Sequence, residues 1–418
     1  MNDVRERVAR AYHERWGTTP DRVLFAPGRI NLIGDHTDYS LLPVLPMAIQ
    51  RGIAFAIGDA PEGITVDSLD EPSELRVGAK PVRAASWHRY AEFAAQPFLA
   101  SSRGVRVLLA GDLPSTGGLS SSSALVVGLL AAISANGPTP LAGRALVEAA
   151  VAAERRAAIE GGEMDQTVIV YGEAGHALRI DFDPPATRTV ALPPDWVLLA
   201  ADSGQRAAKG AAARAAYNAR VVGGRCASAL LAQETGRPRP TPLVLGPLAD
   251  APPESLQSLP ETGTASEVAK QTETPLAQLV ELTAGDFPAE EPIPIRPVAR
   301  HVLAEAAAVE AAERALLAAD LDELGRLLNT SHESLRSFGS STDALDALTA
   351  AMRDAGALGA RVTGAGFGGY AIALCRPECA DRVLDAARRA GGGPAFRVEA
   401  SKGIGGPAVR AEASKGIG

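Results

Sequence analysis

Between Pro114 and Ile133 the chain passes from a glycine- and serine-rich run, PSTGGLSSSSA, directly into the apolar stretch ALVVGLLAAI. The apolar stretch reads as a helix, and the run before it as the turn that opens it. Backbone N–H groups converge at such a helix N-terminus, where the dipole favours an anion. The pattern predicts a phosphate cradle formed by Gly117, Gly118, Leu119, Ser120, Ser121, Ser122 and Ser123. Serine hydroxyls in the first turn can also ligate Mg2+ or a phosphate oxygen. Taken alone, the same run also suits a flexible linker with an ordinary helix cap.

Composition narrows what such a cradle could hold. Only five of the 41 cations are lysines and none follows a glycine, so the lysine-bearing P-loop pattern is absent and a nucleotide must be held differently. A net charge of −8 gives no basic field for a polyphosphate backbone, which argues against nucleic acid as a partner. Cys226, Cys375 and Cys379 form no C-x-x-C pair, so neither a disulfide framework nor a zinc cluster is expected. Residues 1–16 alternate charged and apolar side chains without a signal-peptide core, and the apolar stretch 124–133 is too short to span a bilayer. A cytoplasmic protein with no membrane partner is expected.

The 418 residues allow two or three domains. Apolar spacing at Val4, Val8, Ala11 and Tyr12 predicts an opening helix ending near Gly17, then a strand over 23–25 that meets a break at Pro27 and Gly28. Further strands are expected at 53–57, 105–109 and 371–374, and helices at 124–133, 141–160, 298–318 and 341–354. The irregular alternation favours an α+β class over a regular βαβ array. Residues 237–297 carry twelve of the thirty prolines and a polar stretch, 261–273, with little apolar periodicity, and read as an elaborated or partly mobile insertion. The heptapeptide EASKGIG occurs at 399–405 and again at 412–418. Two copies make no solenoid, and a tail over 401–418 without function is expected.

Two further segments carry chemistry. Residues 364–369, GAGFGG, satisfy G-x-G-x-x-G, yet the strand-like residues 370–374 follow where a dinucleotide fold needs a helix. A glycine loop between strands can instead bring backbone close to phosphates, or simply close a tight hairpin. Residues 26–39, APGRINLIGDHTDY, pack one arginine, two carboxylates and a histidine into the link between early strands. Carboxylates accept hydrogen bonds from paired hydroxyls, which suits a polyhydroxylated ligand, although a capped, solvated turn has the same composition.

Together, in this order and over nearly the whole length, these segments resemble the galactokinase family, within the superfamily of galactokinase, homoserine, mevalonate and phosphomevalonate kinases. Further matches are Trp87 with Tyr90, Glu154, GEMDQ at 162–166, YNAR at 217–220, His301, SHESLR at 331–336 and GARVTGAGFGG at 359–369. The resemblance implies the two-domain GHMP kinase fold. It has an N-terminal α+β domain, here 1–194, and a C-terminal ferredoxin-like α+β domain, here 195–400, with ATP in the cleft between them.

By the same resemblance, Asp165 lies against the anomeric hydroxyl of the sugar and Arg29 beside both reactants. Asp165 would accept the C1 hydroxyl proton, or act as an electrostatic positioner, and Arg29 would stabilise charge on the transferring phosphoryl group. Asp35, His36, Asp38, Gly162 and Tyr217, with Arg29 and Asp165, would contact the sugar. Residues 117–123 would wrap the ATP phosphates, Gly364 and Gly366 would close the site from the other domain, and Trp87 would pack near the adenine. Ser122 and Glu154 would hold Mg2+. The implied activity is ATP-dependent phosphorylation of galactose by a monomer, with a small-molecule sugar as partner.

Three departures bear on the sugar. Asp35 stands where the family has a glutamate that reaches the 6-hydroxyl, and Ser40, Leu41, Leu42 and Pro43 replace a polar, flexible turn. Glu154 and Asp165 are also one residue closer than the family pattern, which implies a different path for the loop before Asp165. None of these touches the phosphate loops. N-acetylgalactosamine, arabinose or galacturonate are alternative substrates, and a non-catalytic sugar and ATP sensor is a reading from another class.

Overall fold

The computed structural model describes residues 4–71, 75–77, 86–99, 104–114, 117–135, 137, 139–157, 161–206, 211–283 and 285–405. Residues 115–116 of the serine loop, 158–160 at the end of one expected helix and the tail beyond 405 lie outside them. In chain order the helices are α1 (Val4–Trp16), α2 (Ser86–Ala95), α3 (Ser121–Ser134), α4 (Gly143–Arg156), α5 (Met164–Tyr171), α6 (Ala211–Glu234), α7 (Pro253–Ser258), α8 (Ala265–Thr272), α9 (Leu276–Val280), α10 (Arg296–Leu317), α11 (Leu321–Phe338), α12 (Asp343–Asp354) and α13 (Ala380–Ala390). The strands are β1 (Arg22–Ile33), β2 (Leu45–Asp59), β3 (Ile64–Ser68), β4 (Leu75–Val77), β5 (Val105–Gly111), β6 (His176–Phe182), β7 (Pro185–Ala191), β8 (Val197–Asp202), β9 (Thr262–Gly263), β10 (Ile293–Pro294), β11 (Gly359–Val362), β12 (Tyr370–Cys375) and β13 (Ala395–Val398).

Two sheets organise the chain, in the orders β1-β2-β5-β3-β4 and β11-β12-β8-β13. β1 pairs antiparallel with β2 from Arg22 opposite Ile57 to Pro27 opposite Gly52, then shifts so that Arg29 faces Ala48. The sequence expectation ended this strand at Phe25, because Pro27 has no N–H to give a ladder. The strand instead absorbs Pro27 and Gly28 as an irregularity and runs on to Ile33. At that point the Arg29 N–H donates to the Leu119 carbonyl at 3.2 Å. A Cβ on Gly28 would stand 2.8 Å from the same carbonyl oxygen, so only glycine lets the strand and the serine loop approach this closely.

The two long strands serve two cores. Phe55 and Ile57 of β2 pack with Val107 and Leu109 of β5 and with Val126, Leu129 and Val168 of α3 and α5. Ile30 and Leu32 of β1, with Met47 and Ile49 of β2, pack instead on Leu198, Ala200 and Ile372 of the second sheet. Alternation turns Leu199, Ala201, Ala360 and Val362 to that sheet's other face, against Leu345, Leu348, Met352 and Val383 of α12 and α13. β1 and β2 thereby join both halves, and the cleft opens beside the join. α3 is buried from Ser123 to Ser134, as its all-round apolar surface requires.

The described residues of 237–297 pack as an ordered elaboration and not as a mobile excursion. Val268, Leu279, Val280 and Phe287 meet Val222, Leu230 and Val298 in one core with α6 and α10. The polar stretch that lacked periodicity contains α8, whose start is fixed locally: the Thr264 hydroxyl accepts from the Glu267 N–H and the Glu267 carboxylate from the Thr264 N–H.

Residues 399–405, the first heptapeptide copy, form a strap across the edge of β2 and the end of α5. The Ser401 N–H donates to Ala48 at 2.9 Å, Gly403 to Gly172 at 2.8 Å and Ile404 to Ile169 at 2.8 Å. The expectation of a tail without function from 401 onward therefore starts too early for a structural role, since 401–405 are bonded to the N-terminal half. A Cβ on Gly403 would lie 2.6–2.8 Å from three backbone atoms of residues 169–172. Gly403→Val should lower stability by about 1–3 kcal/mol, the usual cost of overpacking. Urea denaturation checks this, and an unchanged midpoint would show the strap to be dispensable.

Candidate active site

A cleft of about 960 Å3 lies between the two halves. Its lining brings together Arg29, Asp35, His36, Asp38, Trp87, Gly117, Gly118, Ser121, Ser122, Glu154, Gly162, Asp165, Tyr217, Gly364 and Gly366, residues drawn from separate stretches of the sequence. Three expected members, Leu119, Ser120 and Ser123, are not part of this lining. Leu119 turns its side chain into the core between the halves. Ser120 and Ser123 spend their hydroxyls on carboxylates, as described below.

The centre of the cleft is an ion pair. Arg29 Nε donates to Asp165 Oδ1 at 2.7 Å and Nη2 to Oδ2 at 3.0 Å, while Nη1 donates to the Gly118 carbonyl at 2.7 Å. Such bidentate geometry fixes the carboxylate in orientation as well as in position. The Ser120 hydroxyl donates to Asp165 Oδ2. Ser120 is the N-cap of α3, with φ +57°, and its side chain makes no capping bond, so the first turn keeps its N–H groups beside Ser121 and Ser122 in the cleft wall. The two glycine loops meet over Arg29. A Cβ on Gly364, where φ is +79°, would stand 3.0 Å from the Gly118 carbonyl and 3.5 Å from Arg29 Nη1.

Glu154 lies on α4 and is 7% exposed. Ser123 and Gln166 hydrogen-bond its carboxylate, yet Oε1 has no partner among the described residues, and burial pushes the group up to about 7. An orphaned buried carboxylate oxygen facing a phosphate cradle fits a divalent cation. Since Ser123 is committed to Glu154, Ser121 and Ser122 are the serines left at the cleft wall. Among the described residues, no group of three or more His, Cys, Asp or Glu could hold a metal. Mg2+, which keeps waters and substrate phosphates in its shell, does not need one.

The opposite end of the cleft is aromatic and acidic. The His36 ring lies 5.6 Å from Tyr217 and 4.7 Å from Phe338 between centroids. Its Nε2 sits 3.1 Å from the Ala365 carbonyl and Nδ1 3.2 Å from the Tyr39 hydroxyl. Asp38 accepts from the N–H groups of Tyr39, at 3.0 Å, and Met164. It lies directly over Gly162, where a Cβ would come within 2.1 Å of it. Burial, reinforced by Asp165, raises Asp38 to about 6.

Asp35 was expected at the sugar. It lines the cleft, but Oδ1 accepts from Asn31 Nδ2 at 3.0 Å and Oδ2 pairs with Arg361. Burial still raises it to about 6 against the pull of that guanidinium. The apolar replacement at 40–43 also has a cause. Leu42 leaves the cleft and inserts into the core of the 237–297 elaboration with Leu245.

Trp87 lies at the far wall on α2, with its indole Nε1 buried and lacking a partner among the described residues. Nearby Arg89, Arg214 and Asn218 also line the cleft. Asn218 stands in the YNAR segment without having been given a role, and no local pattern distinguishes Arg89 and Arg214 from surface cations. Beneath the cleft floor, Arg361 and Asn31 fall inside the quoted segments 359–369 and 26–39 without having been given a role, and Glu305 lies outside every quoted segment. The alternation of β11, which puts 361 on the same side as 363, is the signal that could have found Arg361.

The galactokinase galactose-binding signature matches residues 10–59, the GHMP kinase N-terminal domain residues 84–173 and the GHMP kinase C-terminal domain residues 312–393. Over 386 residues the chain is 31% identical to the galactokinase of Chloroflexus aurantiacus, covering 90% of this chain and 89% of that one. The chain belongs to the galactokinase family. A galactokinase of Roseiflexus sp. is 32% identical over 381 residues, 89% of this chain and 87% of the relative. Lactococcus lactis galactokinase, solved in complex with galactose, superposes with a TM-score of 0.71 at 25% identity, covering 96% of this chain and 98% of its own. Mevalonate kinase from L. major shares the fold, with a TM-score of 0.58 at 17% identity over 92% of this chain and 99% of its own. The GHMP kinase fold expected from the resemblance is therefore the fold of this chain, and among the described residues no helix is long and apolar enough to cross a membrane.

Burial, with His301 adding to it, lowers His36 from 6.5 to about 3. A folded-state value below the unfolded one means that its contribution to stability is full above pH 6.5 and fades as pH falls toward 3. The His36 imidazole should stay neutral, with side-chain NMR shifts flat between about pH 5 and 8. A titration midpoint near the ordinary histidine value would contradict this burial.

Proposed function

We propose that the chain transfers the γ-phosphoryl group of ATP to the anomeric C1 hydroxyl of galactose, giving galactose 1-phosphate and ADP. The observation that carries the reading is the bidentate Arg29–Asp165 pair, with Ser120 on the same carboxylate, set where the two glycine loops meet. Membership of the galactokinase family supports the sugar and the nucleotide.

In this reading the sugar lies against Asp38, Tyr217, Gly162 and the His36 ring, with its anomeric hydroxyl at Asp165. The hydroxyl oxygen attacks the γ-phosphorus, the bond from that phosphorus to the β–γ bridging oxygen breaks, and ADP leaves with the electron pair. Asp165 takes the hydroxyl proton as the new bond forms. Arg29 and Ser120 hold its oxygens so that one faces the nucleophile, and Arg29 places positive charge beside the phosphoryl oxygens. Residues 117–123 and the first turn of α3 receive the phosphates, Gly364 and Gly366 cover them from the second half, and Trp87 offers an apolar face to the base.

Ser122 and Glu154 would hold Mg2+, which, when bound, neutralises charge on the β- and γ-phosphates. The enzyme works as a cytoplasmic monomer.

An ADP-release assay with Mg-ATP and galactose, with the phosphorylated carbon assigned by NMR, tests the function. Galactose 1-phosphate is expected. Turnover confined to N-acetylgalactosamine, arabinose or galacturonate would move the assignment to another sugar, and silence with all of them would make the chain a sensor. Asp165→Asn should lower kcat by about 10²–10⁴-fold with both substrates still bound. Survival of turnover within a few fold would reduce Asp165 to a positioner. Arg29→Ala should lower kcat more than it raises either KM. An effect confined to KM would recast Arg29 as a binding group.

A further inference from the structure

β11 and the glycine loop after it make a series of bonds that the transfer chemistry does not use. Arg361 Nη1 donates to the Leu32 carbonyl at 2.8 Å and Nη2 pairs with the Asp35 carboxylate. Two residues on, the Thr363 hydroxyl donates to the Asn31 carbonyl at 3.0 Å and accepts from the Asn31 N–H at 2.9 Å. Two further on, the Ala365 carbonyl lies 3.1 Å from His36 Nε2. Arg361 and Thr363 thus meet the end of β1 with their side chains, and the glycine loop that follows brings the Ala365 carbonyl to the turn after it.

Arg361 is 0% exposed, and Asp35 and Glu305 are 2% and 1% exposed. Glu305 Oε2 lies 3.8 Å from Arg361 Nη2 and accepts from the Gly34 N–H at 2.9 Å. The turn these groups surround has left the β1–β2 ladder, and its shape depends on positive φ at Gly34, +95°, and His36, +65°. Non-glycine residues adopt such φ only where the surroundings impose it. Arg361 does not line the cleft, whereas Asp35, His36 and Asp38 do, so the guanidinium can reach a ligand only through them.

We propose that Arg361 is a positioning residue for the sugar-facing turn, residues 34–39. Its fork holds the backbone at Leu32 and the side chain of Asp35 together, and so sets where His36 and Asp38 stand relative to Asp165. A lysine supplies the charge but cannot make the two bonds in fixed geometry. A neutral side chain leaves the buried carboxylates unpaired, so Arg361→Gln alone would mix loss of positioning with loss of fold.

The inference rests on the sugar-kinase reading, and two variants test it, each compared with the wild type on whichever sugar the wild type accepts. Refusal of galactose by the wild type would count against the galactose assignment alone. Arg361→Lys should raise the sugar KM about tenfold or more, the scale of a lost charge-assisted hydrogen bond, with kcat within about threefold and the ATP KM within about twofold. Arg361→Gln with Asp35→Asn, which removes one positive and one negative charge and leaves the net charge of the buried group unchanged, should melt above Arg361→Gln alone yet show the same raised sugar KM. A sugar KM within about twofold of wild type in either variant would overturn the proposal. So would an ATP KM that rises in step with the sugar KM, the mark of general loosening.

Discussion

The β1–β2 ladder breaks at Pro27, and the cleft depends on that break. A proline there has no N–H to offer β2, and the register shift that follows releases the Arg29 N–H to the Leu119 carbonyl. The strand that begins in the first sheet therefore continues as the partner of the serine loop. That contact puts the Arg29 side chain between the loop and α5, where Asp165 stands in the first turn. Had the ladder run on unbroken, the backbone groups of residue 29 would be spent on the sheet and the serine loop would lose its backbone anchor at Leu119.

Beyond the break, electrostatics divides the floor of the cleft into two layers. Nearer the ligand, Arg29 and Ser120 orient Asp165 while one Glu154 oxygen stays without a partner. Beneath it, Arg361 sits among Asp35, Glu305 and the Leu32 carbonyl with no exposure at all. Each guanidinium uses its fork to bind one carboxylate and one backbone carbonyl, Gly118 in the upper layer and Leu32 in the lower. Charge and backbone are thus fixed by the same group, which is economical where helices and sheets do not reach.

The most apolar elements were legible: α1, α3, α10 and α12 and strands β5 and β12 lie where apolar runs and spacing put them, while most of the other strands and the more polar helices carry too weak a pattern. The long reach of β1 was not, because Pro27 reads as a stop and only the serine loop, far away in sequence, supplies the replacement acceptor. The polar α8 was missed because its start depends on a local capping box and its stability on a core assembled from distant elements. In the cleft, the motif-bearing residues were readable as a set. What Ser120, Ser123 and Asp35 do with their side chains was not, since each is decided by a neighbour from elsewhere in the chain. Leu42 shows the same limit, because its apolar character answers to the insertion and not to the sugar.

The strap at 399–405 completes the edge of β2 and the end of α5, both parts of the N-terminal half. A chain made from its N-terminal side must therefore leave the Ala48 and Gly172 backbone exposed until residues 401–403 have been made. The N-terminal half reaches its finished form only after the C-terminal half has been synthesised, so its order of folding is not its order of translation. The first half is closed by residues that lie beyond the second half in the sequence.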